Sequence, residues 1–218
     1  MVSKPLSSGA GNGRSATGRA AKAPHPTREL LLKTALTLLE HRLPHDITSD
    51  MVLNHSEISR GSLYHHFEDF SDLIEAALVC QFAEDVDGSI AMIAPAMAAS
   101  KSAEDLLGHL SSVVDVTHGP DRRGHRFSRA RLIAMSETNP RLAARLAAEQ
   151  DRLTAAIADM IGTAQERGWM SREYDARSAA VLVQAYSLGK LVDDVSTQMI
   201  DSEAWNSLIK RLIRNVLF

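Results

Sequence analysis

Apolar residues recur at three- and four-residue intervals along almost the whole chain, and no stretch alternates strictly between apolar and polar positions. The pattern predicts helices throughout and makes a sheet unexpected. Leu30, Leu31, Ala35, Leu38 and Leu39 form one face of a first helix, which Thr27 caps and which stops before Pro44. Residues 46–70 then hold two short helical runs separated by only a tight turn. Thr48 caps the first run, with Met51, Val52 and His55 following; Ser59 caps the second, with Leu63, Tyr64 and Phe67. A fourth helix opens at Ser71-Asp72 and runs through Leu73, Ala77, Leu78 and Val79 to Phe82 and Val86. Residues 88–100 read as a weak helix or loop around Pro95.

Further along, Ser102 with Asp105 resembles a capping box and opens a helix carrying Leu106, Leu107, Leu110, Val113 and Val114. Residues 117–124 form a turn, and a helix over residues 125–136 follows. Asn139-Pro140 is a clean start signal for a helix reaching Arg167 and ending at Gly168. Asp175 opens another, expected to extend to about Gln198. Asp201 or Ser202 opens the last, with Trp205, Leu208, Ile209, Leu212, Ile213 and Val216 at helical spacing.

Two short helices joined by three or four residues are a helix-turn-helix, whose second member can enter a DNA major groove. The second helix here reads Ile58-Ser59-Arg60-Gly61-Ser62-Leu63-Tyr64-His65-His66-Phe67. That wording closely resembles the recognition-helix signature of the TetR family of bacterial transcriptional regulators, and the resemblance spans residues 27–78. It implies an all-α fold of about nine helices: an N-terminal three-helix DNA-binding head and a C-terminal helical body for ligand binding and dimerisation. The expected division is a tail at residues 1–26, a head at 27–74 and a body at 75–218, joined within the fourth helix rather than by a linker.

The resemblance also implies roles. Arg60, Ser62 and His65 are the base-edge candidates, Arg60 being able to pair bidentately with guanine. Gly61 allows close approach of backbone to DNA. Tyr64, His66 and Ser49 match positions that bond phosphates. Three features depart from the family pattern. Glu57 stands in the turn where a small residue, often glycine, is usual, and Phe70 stands where a phosphate-binding lysine is common. The third is charge, with four Arg or Lys against nine Asp or Glu over residues 27–75. Because backbone attraction supplies most non-specific DNA affinity, such a head needs compensation. The available sources are histidines His41, His45, His55, His65 and His66, and the basic tail with Lys4, Arg14, Arg19 and Lys22.

The chain of 218 residues, 44% apolar, can bury a substantial core, and its net charge of −3 excludes a polybasic nucleic-acid coat. One cysteine, Cys80, permits no internal disulfide and reads as a small buried residue. No apolar run has membrane-spanning length and no signal-peptide core is present, so the expected location is cytoplasmic, with no membrane partner. The adjacent His65-His66 pair does not converge on one ion, and no nucleophile elbow, phosphate loop or zinc-spaced set occurs. The reading is therefore of no catalytic residues, no metal and no cofactor.

The expected partners are a double-stranded DNA operator, a small-molecule effector and a second copy of the chain, paired through the last two helices. Ala180, Val183, Ser187, Gly189 and Leu191 give one of those helices a small-residue face for close packing. Effector-pocket candidates are Leu110, Val114, Phe127, Met135, Trp169 and Tyr186, with Leu107 and Ile133 nearby. Arg126, Arg129 and Arg131 lie near the middle of the body; the stretch Arg122 to Arg131 could receive a carboxylate or phosphate of a ligand, but a solvated helix face is the expectation. The alternative function is a helical dimeric sensor or interaction protein with weakened DNA binding.

Overall fold

A computed structural model describes residues 25–218. The tail expected over residues 1–26 lies outside this range save for its last two positions, and the first of these, His25, accepts from Thr27 N to cap the first helix. The helices are α1 (Pro26–Leu39), α2 (Ser49–Ser56), α3 (Arg60–His66), α4 (Phe70–Ala99), α5 (Ala103–Thr117), α6 (Arg123–Glu137), α7 (Pro140–Glu166), α8 (Ala176–Gly189), α9 (Leu191–Asp194) and α10 (Ser202–Leu217). Single 3-10 turns at Pro44–Asp46 and Pro120–Arg122 complete the order, and no strand occurs among the described residues. No described helix is long and apolar enough to cross a membrane.

Local chemistry sets most boundaries. Thr48, Ser59, Ser102, Asn139, Asp175 and Asp201 each accept a backbone N–H from the first turn of the helix they precede. Asn139 is followed by Pro140 at the first helical position, where a proline's missing N–H costs nothing. The expected box at Ser102 is half formed: Ser102 Oγ accepts from Asp105 N at 3.1 Å, but Asp105 returns to Lys101 N at 3.0 Å. For α4 the cap is Asp69 rather than Ser71 or Asp72. Asp69 accepts from Asp72 N at 2.6 Å while Asp72 accepts from Glu68 N at 2.9 Å, a reciprocal pair that starts the helix at Phe70.

Three expectations are corrected. Residues 88–99 continue α4 without a break, with Pro95 inside its final turns. A proline there removes one backbone bond, and burial of Ala96 with packing of Ile93 and Met97 against the body core offsets the loss. The helix expected to reach Gln198 ends at Gly189, resumes only as the four-residue α9, and is followed by an irregular segment. Cys80 is also exposed rather than buried.

Two apolar clusters meet on α4. The first packs Leu31, Ala35, Val52, Leu63 and Phe67 against Leu73, Ile74 and Ala77. The second begins at Phe82 and Val86 and takes in α5 to α8 and α10, with Leu106, Leu142, Ile161 and Ala180 fully enclosed. The face of α8 bearing Ala180, Val183 and Ser187, expected to pair with a second copy, is instead turned into its own monomer against α7 and the body interior. The large apolar residues left exposed at this end are Val181, Leu182, Val192, Val195, Met199, Ile200 and Leu208.

Candidate nucleic-acid interface and body cavity

Helix α3 has seven residues, too few to be stable on its own. Its conformation depends on Leu63, which is fully buried, and Phe67 beside it. Burying a side chain of this size contributes about 1.5–3 kcal/mol. The turn before it contains Glu57 at φ 57, ψ 22, the one left-handed non-glycine among the described residues. Ser56 Oγ accepts from Ile58 N at 3.4 Å and braces the same turn.

With Leu63 and Phe67 inward, Arg60, Gly61, Tyr64 and His65 face solvent. Arg60 Nη2 donates to Asp50 Oδ1 at 2.5 Å, but both side chains are largely exposed, so the pair is weak and readily exchanged for another acceptor. A Cβ on Gly61 would meet nothing closer than Ser59 Oγ at 4.0 Å, so its face is open to a ligand. Ser62 is half-buried, and its hydroxyl lies 3.0 Å from the capping Ser59 hydroxyl. Ser49 is half-buried at the first position of α2. His66 lies half-buried between His65 and His25, with ring centroids 5.0 and 4.8 Å away. Desolvation, then the neighbouring His25, His65 and Arg28, hold its pKa below the ordinary histidine value. Phe70 packs on the head core and supplies no cation.

The body holds an apolar, partly open cavity of about 120 Å³. Leu110, Val114 and Tyr186 line it, together with Ile93, Met160 and Val183. Phe127, Met135 and Trp169 do not. Phe127 lies beneath the Arg123 guanidinium and Trp169 beneath that of Arg167, while Met135 borders other clefts at the junction with the head.

The polar groups of the body form a network that apolar periodicity alone does not show. Arg126 is buried and pairs with the buried Asp194 through two bonds of 2.5 and 2.8 Å. Arg129 is half-buried, and its Nη2 donates to the amide oxygens of Gln150 and Gln184 at 2.8 and 3.0 Å. Burial lowers its pKa, and the nearby Asp85 acts in the opposite direction. Arg126 and Arg129 are three apart on one helix, a spacing that points both to one side of α6, and this was the signal available in the sequence. His118 is buried with both ring nitrogens unpartnered and the Tyr186 ring 5.4 Å away. Desolvation, then the charge of Arg126, push its pKa down to about 4, so it is neutral at physiological pH.

The helices of the described residues, the compact two-helix motif and the body cavity define an all-α fold with an N-terminal helix-turn-helix. No family model matches the chain. The HTH-type transcriptional regulator UidR of Escherichia coli K12 is 22% identical over 192 residues, covering 88% of this chain and 93% of that protein. GusR of Salmonella enterica superposes with a TM-score of 0.65 at 22% identity, over 90% of this chain and 97% of that one. A protein from a Rhodococcus species, described as a regulator of the TetR family, gives 0.62 at 24% identity, over 88% and 98%. Fold, recognition-helix wording and full-length relative agree: the chain has the fold of the TetR-family regulators and resembles them over nearly its whole length.

Proposed function

We propose that this TetR-type regulator is a repressor that binds a palindromic operator as a dimer and is released by a small-molecule effector in the body. The carrying observation is the outward face of α3, where Arg60, Gly61, Tyr64 and His65 stand exposed on a helix held by Leu63 and Phe67. Arg60 reads a base edge, helped by Ser62 and His65, while Ser49, Tyr64 and His66 bond phosphates. Residues 27–74 act as the head and 75–218 as the body. The exposed apolar residues of α8 to α10 pair with a second copy, which doubles the few base contacts of one head. Effector binding favours a head spacing that no longer matches successive major grooves.

The test is selection of bound fragments from random DNA at moderate salt, followed by two variants on the selected operator. Arg60→Ala is expected to relax preference at one base position, at a cost of about 1–3 kcal/mol there. Tyr64→Phe is expected to weaken all sequences alike. Unchanged base preferences in Arg60→Ala would remove it from the readout. The acidity of the head favours a second reading, a dimeric sensor with little DNA affinity; failure to retain any sequence selectively as salt rises would establish that one.

A further inference from the structure

The apolar cavity does not stand alone. A second, more polar space of about 100 Å³ adjoins it, and the two share Ser89, Met92, Thr117, Arg129, Leu153 and Ser187. Arg129 is the only charged residue on both linings. Its Nη2 is held by two neutral amides, its Nε is buried without a partner, and none of its bonds goes to a carboxylate. The polar space is also lined by Arg122, Arg126 and His125. Its single carboxylate, Asp85, accepts from His125 at 2.9 Å. Arg126 is already matched by Asp194. A half-buried guanidinium bonded only to neutral amides is costly to desolvate, and a ligand anion is the simplest group that offsets the cost.

We propose that the effector is an amphipathic monocarboxylate, its apolar body in the cavity among α4, α5, α7 and α8 and its carboxylate on Arg129 of α6. The inference rests on the reading of the body cavity as the effector site and adds the chemistry of the ligand. The unpartnered Nε–H of Arg129 beside a neutral amide network suits one anionic oxygen. Inorganic phosphate would leave the adjoining apolar cavity unfilled, and a cationic ligand would face like charge.

The full chain is titrated with straight-chain carboxylates from acetate to decanoate, each against its neutral primary amide, and with inorganic phosphate. Thermal shift and calorimetry are the readouts. Carboxylates with an apolar tail are expected to bind saturably and their amides about tenfold or more weaker, the difference a charge-assisted bond supplies. Arg129→Gln and Arg129→Met are expected to abolish that difference, and in the absence of ligand to melt no lower than wild type, because they remove an unmatched charge. Equal binding of acid and amide, equal shifts from acetate or phosphate, or no binding across the series would each overturn the proposal. The same ligands are then added to the operator complex. Release by the amides alone would leave the repressor reading standing while this one falls. Binding of the acids without any operator complex would do the reverse.

Discussion

The pair between Arg126 and Asp194 fastens α9 to α6 across the body, and its removal has a calculable cost. Arg126 is 6% exposed and Asp194 4% exposed, and two bonds of 2.5 and 2.8 Å join them. Lys190 Nζ stands 3.9 Å from the same carboxylate, and Arg123 donates to the Asp194 carbonyl at 2.9 Å. Asp194→Ala therefore strands a buried guanidinium, and breaking such a pair costs about 3–5 kcal/mol. For a chain of this length each kcal/mol moves the melting temperature by about 2–4 °C, so a fall of about 6–20 °C is expected. Replacing both members, Arg126→Met with Asp194→Leu, removes the stranded charge and should recover most of that loss. Thermal and urea unfolding at fixed protein concentration, on wild type, both single variants and the double variant, close the cycle. The pH dependence supplies an internal check. Arg126 holds the Asp194 carboxyl below the usual range, so its stabilisation is present above about pH 4 and is lost as pH falls through the lower folded-state value. The gap between wild type and Asp194→Asn should accordingly close in acid. An Asp194→Ala protein within about 1 kcal/mol of wild type at pH 7 would refute the argument.

Two further outcomes are expected. Glu57→Gly relieves a left-handed residue worth about 1 kcal/mol, partly offset by the freer unfolded chain, so the melting temperature should rise slightly; a clear drop would mean that the Glu57 side chain holds the turn. Operator affinity should increase as pH falls from 8 to 6, because phosphate raises the depressed pKa of His66 and so draws a proton on binding; a curve that is flat, or unchanged when His65 and His66 are both replaced by Gln, would contradict this.

What was legible in the sequence is what neighbours in the chain decide. Thr48 and Ser59 cap helices within three residues of themselves, and Leu63 and Phe67 are buried because one helical turn separates them. Glu57 stands where the family usually has a small residue, often glycine, and the turn keeps the left-handed geometry that glycine favours whatever residue fills it. Partners far apart in the chain were not legible. Asp194 lies 68 residues from Arg126, so the charge that ends the α8–α9 run looked like an ordinary polar position of a longer helix. The cavity was half found for a related reason. Periodicity identifies apolar positions, but it does not say whether Phe127 and Trp169 turn towards the interior or beneath an arginine.

The acidity of the head changes meaning once these distant partners are placed. Arg141, near the start of α7, donates to Glu75 at 2.7 Å, to Glu68 at 3.0 Å and to Asp69 at 3.3 Å. Arg145 meets Asp72 at 2.8 Å, and Asn139 donates to Glu75 at 2.7 Å. Four of the nine carboxylates between residues 27 and 75 are thus engaged by side chains of the body. Hydrogen bonds from Arg141 and Asn139 keep the buried Glu75 ionised, and bonds from Glu68 N and Arg145 do the same for Asp72 against their burial. Much of the negative charge that counts against DNA in the composition therefore belongs to a seam between head and body. The same Asn139-Pro140 pair that marks a helix start in the sequence places Asn139 and Arg141 at that seam. It also directly follows α6, the helix that carries Arg129. The short connection between α6 and α7 therefore bears on the base of α4 through Asn139 and Arg141.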